Sequence, residues 1–339
     1  MESDSPADDA LANRRATIQS ALADQQTATP SLSIYATAQQ SLEPTNHLLG
    51  ITLLTAAEAC TSDATEYGQW TPAALAVEYL AAFVRTHGSI LTVETSDVRD
   101  SDTGDDCQLS KQILTGDLLH TRAVELLLKT ETTHTQRQSC LQRFLAASRQ
   151  ICEGNALRQE LAGQPIVQLD DYLRFIEADA ALWWGSATIG GLLGDGEDEL
   201  LTHLASFGRN LGAAIRLAVD ANCLAHSSST TDYRRNIDIP SSKRGGTHRS
   251  DTGDSRCDAH DTAEACEEVD TLGGEALLAG RPVFRSTAHI PVRRVDANDL
   301  RHRVDRRLDE AKIHVEYIEH SRPQLVLTEI LDRVRSTFD

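Results

Sequence analysis

The chain has 339 residues and a formal net charge of −19, from 32 Lys and Arg against 51 Asp and Glu, with 40% hydrophobic residues. That length supports one large helical core or two ordinary ones. The acidity excludes nucleic acid and anionic membrane surfaces as partners, because both call for clustered positive charge.

Seven cysteines, odd in number and without a CxxC pair, exclude a disulfide framework and fit a reducing compartment. The first residues, MESDSPADDALANRR, are acidic and lack the apolar stretch of a signal peptide. Nowhere does the chain offer the roughly eighteen consecutive apolar residues of a membrane span. A cytoplasmic protein is expected. The acid-rich composition, with lysine only at Lys111, Lys129, Lys243 and Lys312, suits a salt-rich cytoplasm, where screening weakens self-repulsion.

Residues 1–8 are expected to be disordered, followed by an amphipathic helix from Leu11 to about Ala23 and a second helical block from near Leu42. Thr71 and Pro72 read as a cap and first position of a helix whose inner face carries Val77, Leu80, Ala81, Val84, Gly88 and Leu91. Asp97, Asp100, Asp102, Asp105 and Asp106 then lie among Ser, Thr and Gly with no helical spacing, as in a solvated loop. Helical spacing resumes at Gly116 and again from Cys140 to Arg158.

The stretch from Tyr172 to Cys223 reads as two helices joined by a turn at Gly190, Gly191, Gly194 and Gly196. Tyr172, Phe175, Ile176, Ala180 and Trp183 share one face of the first helix, with Asp170 or Asp171 as its cap. Leu204, Phe207, Leu211, Ile215 and Ala218 line the second. Asp179 sits on the apolar face of the first, where a carboxylate is costly unless paired, and this marks a functional position. Residues 227–271, rich in Ser, Thr, Asp, Arg and Gly, read as a mobile low-complexity insertion. Regularity returns at Leu272, with helices over Leu300–Glu319 and Gln324–Phe338 broken at Ser321, Arg322 and Pro323. The expected fold is all-α, with 9–226 as the main domain and 272–339 as C-terminal helices of the same domain.

Three segments, GDLLHTRAVELL from Gly116, YLRFIEADAALWW from Tyr172 and FGRNLGAAIRLAVD from Phe207, resemble the trans-isoprenyl diphosphate synthases of the polyprenyl synthetase family. The likeness runs from about Leu42 to Arg333 and implies a helical bundle around a central cavity. Family members couple an allylic diphosphate to isopentenyl diphosphate, using Mg²⁺ held by two facing aspartate-rich motifs. Here the first motif, normally following His87, is replaced by Gly88, Ser89, Ile90, Leu91 and Thr92. From His87 to Gly116 is 29 positions (116 minus 87), a separation the family shares, so the register is sound. The second motif is replaced by Val219, Asp220, Ala221, Asn222 and Cys223, which keeps one of three aspartates. A family Lys-Thr pair becomes Asp179 and Ala180, a Phe-Gln pair becomes Ile215 and Arg216, and Gln164 matches a family Gly-Gln. The cationic Gly-Gly-Lys-x-x-Arg-Pro stretch has no counterpart, and Arg99 alone stands for the arginines that follow the first motif.

The resemblance therefore implies a degenerate first motif at His87, Gly88, Ser89 and Thr92, a degenerate second at Val219, Asp220 and Cys223, and further cavity positions at Gln164, Asp179 and Arg216. Each lost electrostatic contact costs about 3 kcal/mol of transition-state stabilisation. The expected function is an isoprenyl diphosphate synthase-like protein without catalysis, acting as a homo- or heterodimeric partner of an active prenyl synthase, with no cofactor and no metal. Two alternatives remain: an active prenyltransferase using Asp97, Asp179 and Asp220, or a binder of an apolar isoprenoid.

Plainer readings stand beside these. His87 reads more readily as a helix-end histidine than as a ligand, and Arg216 with Asp220, spaced i and i+4, equally as a surface ion pair. Trp183 and Trp184 suit packing as well as a tunnel wall. Cys257, His260 and Cys266 lack zinc-finger spacing.

Overall fold

A computed structural model describes residues 6–27, 32–42, 46–61, 67–90, 104–162, 164, 166–229 and 295–338. The regular elements are helices: α1 (Pro6–Thr27), α2 (Ser33–Leu42), α3 (Leu48–Ala59), α4 (Thr71–Ile90), α5 (Gly104–Lys129), α6 (His134–Ala162), α7 (Leu169–Asp179), α8 (Ala181–Leu193), α9 (Asp198–Ser229), α10 (Ala297–Val315) and α11 (Ser321–Phe338). The all-α expectation is borne out. Among the described residues no helix is long and apolar enough to cross a membrane.

Burial explains the arrangement. Every residue of α3 except Glu58 is buried, and so is every residue of α8 except Leu192, so these two cannot lie at the surface. They form the centre, packed on each other. Helices α4 and α11 pack against α3, while α6 and α9 pack against α8. Helix α5 packs against α4, and α10 against α9. The contact between α3 and α8 is close because a small-residue stripe meets a row of carbonyls. Ser186 donates to the Leu49 carbonyl at 2.5 Å, and one turn on, a Cβ at Gly190 would stand 2.2 Å from the Leu53 carbonyl oxygen. Gly194 repeats this against Ala57. Backbone cannot step aside as a side chain can. Gly190→Ala is therefore expected to lower stability by about 3 kcal/mol, at the upper end of the usual cost of overpacking, read as a lower urea midpoint at unchanged slope.

Several expectations need correcting. Gly190 and Gly191 are helical, because the chain needs close approach there, and the turn falls at Gly194–Glu197. Asp170 and Asp171 lie in the first turn of α7, and the cap is Gln168, whose side chain makes no capping bond. Helix α1 starts at Pro6, inside the segment expected to be disordered, and Leu42 ends a helix where one was expected to start. Gly116 lies in the middle of α5, and the backbone of Asp105 and Asp106 belongs to that helix. Helix α9 runs on to Ser229, past the expected edge of the insertion. Pro323 sits in the first turn of α11, where its missing N–H costs nothing. The break before it is at 316–320. Residues 91–103 and 230–294, with Thr92, Asp97, Cys257, His260 and Cys266, lie outside the described residues.

Candidate functional site

Helix α9 carries Arg216 and Asp220 one turn apart on the side that meets α7. The Arg216 guanidinium grips the Asp220 carboxylate with two donors, Nη2 to Oδ1 at 2.6 Å and Nε to Oδ2 at 3.3 Å. From α7, the Tyr172 hydroxyl donates to Asp220 Oδ2 at 2.7 Å. Phe175 lies beneath the cation, with Arg216 Cζ 5.2 Å from its ring centroid. The surface ion pair is thus corrected to a buried one, with side-chain exposures of 4% for Arg216 and 16% for Asp220. The same residues, moved to the surface, would contribute little.

Asp179 closes the cluster at the last residue of α7. Its Oδ1 is buried and has no hydrogen-bond partner among the described residues. Burial pushes its pKa from 3.8 up to about 7, with Asp220 adding to this and Arg216 and Arg158 opposing. The Asp179 carboxyl is accordingly close to half-protonated at neutral pH. Burial disfavours the Arg216 cation, but Asp220, Asp179 and Tyr172 outweigh that and push its pKa up. Burial also drives the Tyr172 phenol well above its ordinary value, and the Asp220 charge and hydrogen bond reinforce this. Arg158, buried on α6, is pulled down first by burial and next by Arg216, with Asp179 and Asp220 opposing.

The other expected positions separate. His87, in the last turn of α4, lies on α5: its Nε2 is 3.3 Å from the Ile113 carbonyl oxygen, its ring meets Phe83 edge-on at 4.6 Å, and a Cβ at Gly116 would overlap Nε2. That is packing, and it explains why Gly116 carries no side chain. Gly88 is buried, Ser89 belongs to α4 by its backbone, and Val219 is half-buried against the core. Cys223 is placed by its backbone in α9. Gln164 is exposed beyond the end of α6, its backbone N–H donates to the Leu161 carbonyl, and it takes no part in the cluster. Trp183 and Trp184 are buried packing residues. Sequence reasoning missed Tyr172 and Arg158 as members of the site. Tyr172 was visible only as a core position, and Arg158, on another helix, carried no local signal.

Magnesium takes about six oxygen ligands at ~2.0–2.1 Å, most often through carboxylates shared with phosphate and water. The residues here do not fit it. Both Asp220 oxygens are engaged by Arg216 and Tyr172, burial holds Asp179 partly protonated, and Arg158 and Arg216 add positive charge beside them. Among the described residues no three His, Cys, Asp or Glu side chains converge as metal ligands.

The sequence profile described as Polyprenyl synthetase matches residues 33–243. A geranylfarnesyl diphosphate synthase of Natronomonas pharaonis is 24% identical over 261 residues, which covers 72% of this chain and 76% of that protein. A geranylgeranyl diphosphate synthase of Methanosarcina mazei is 30% identical over 152 residues, 44% of this chain and 46% of that one. Among solved structures, a geranylgeranyl pyrophosphate synthetase from the archaeon Geoglobus acetivorans superposes with a TM-score of 0.68 at 18% identity, covering 98% of this chain and 99% of that chain. One from Pyrococcus horikoshii Ot3 gives 0.66 at 17% identity, covering 96% and 98%.

Proposed function

This chain belongs to the polyprenyl synthetase family, and from that premise we propose that it is a member without catalysis, acting as the partner or regulatory subunit of a competent isoprenyl diphosphate synthase. The observation that carries this reading is the closed Arg216–Asp220–Tyr172 contact, with Asp179 Oδ1 buried beside it. Ionising an allylic diphosphate needs the leaving group's charge neutralised where it develops. The cluster spends its carboxylate on its own arginine instead. Opening it for a metal would strand a buried guanidinium, at a cost of several kcal/mol.

Purified chain supplied with an allylic diphosphate, isopentenyl diphosphate and Mg²⁺ is expected to release no longer prenyl diphosphate. Mixed with a synthase from the same cell, it is expected to form a defined complex by native mass spectrometry and to change that enzyme's rate or product length. Turnover by the chain alone overturns the inactive assignment. Failure to bind the synthase, with an isoprenoid retained in the native spectrum, turns the reading to a lipid binder.

A further inference from the structure

His203 on α9 and His314 on α10 face each other where these two helices pack, with their Nδ1 atoms 3.0 Å apart. The pair is independent of the Asp220 cluster. Both rings are half-buried, so solvent reaches them. Tyr317 stacks on His203 at 3.7 Å between centroids and 18° between planes, so the ring turns within its own plane more readily than out of it. A contact between two neutral rings needs one Nδ1 to donate and the other to accept.

Two imidazole nitrogens this close can be brought to one ion, and for such nitrogen donors Cu²⁺ heads the affinity order of the divalent first-row metals, above Ni²⁺ and Zn²⁺. We propose that His203 and His314 form a two-imidazole chelate for divalent copper or nickel that fastens α10 to α9. The ion replaces the proton contact between the rings as both swing to point their lone pairs at it. Water completes its coordination, because no third protein ligand converges there among the described residues.

Full-length protein without a histidine tag, heated with and without CuCl₂ or NiCl₂, reads the site through its unfolding midpoint. The midpoint is expected to rise most with CuCl₂ and less with NiCl₂ or ZnCl₂. His203→Gln and His314→Gln should each weaken the apparent affinity about tenfold or more, equivalent to 1.4 kcal/mol. A second measurement needs no variant: ascorbate-driven oxidation with bound copper, followed by peptide mapping, should modify His203 and His314 ahead of the other histidines. A metal response unchanged in both folded variants overturns the proposal, and so does oxidation that spares both rings.

Discussion

At pH 8, Asp179→Asn is expected to raise the free energy of unfolding by about 2–4 kcal/mol, and at pH 4 the two proteins should unfold almost alike. The folded protein keeps the Asp179 proton up to about pH 7, while the unfolded chain releases it near the ordinary aspartate value of 3.8. Between those values the native state binds more protons than the unfolded state, so raising the pH through that window costs stability. Below it both states are protonated and the cost vanishes. Asparagine imitates the neutral acid at every pH. The distance between 3.8 and about 7, at 1.36 kcal/mol per pKa step, caps the gain at about 4 kcal/mol.

Glu78 titrates in the opposite sense. Burial would raise it, but His47, the Gly50 amide and Arg85 hold it below the usual carboxylate value. It is common to both proteins and cancels in the difference. Urea unfolding at several pH values measures the effect. A difference that is flat with pH would mean that Asp179 is fully ionised and paired, and the account of the site would fail.

Arg216→Met should destabilise the protein by about 3–5 kcal/mol, because it strips the largely buried Asp220 carboxylate of its two-donor ion pair and leaves it the Tyr172 hydrogen bond and the more distant charge of Arg158. Adding Asp220→Leu should recover most of that loss, leaving a residual of about 1–2 kcal/mol for the stranded phenol. The double variant is the decisive member. If it is no more stable than Arg216→Met, the arginine acts through packing on Phe175 and not through its carboxylate. A single variant within about 0.5 kcal/mol of the parent would place the pair in effective contact with water. Neither result would leave a closed cluster to support the non-catalytic reading.

The elements of this fold were legible wherever one face is apolar. The stripes of α7 and α9, from Tyr172 to Ala180 and from Leu204 to Ala218, are buried as their spacing predicts, with Ile215 half-buried at the edge. The glycines misled, because a sequence does not say whether a glycine turns the chain or makes room for a neighbour. At Gly190 the reason is the Leu53 carbonyl, 137 positions earlier (190 minus 53), and at Gly116 it is His87. Arg216 and Asp220 could be paired from their i and i+4 spacing, but spacing carries no information about burial.

The helical class and the family likeness could be read before any coordinates, because both reside in residue identity and local periodicity. It took packing in three dimensions to show that Asp220 is engaged by Arg216 and Tyr172, that Arg158 joins from a separate helix, and that Asp179 is left without a partner for one oxygen among the described residues. The physical reason is that charge is expensive or cheap according to what surrounds it. Those surroundings are assembled from α6, α7 and α9 only once the chain has folded.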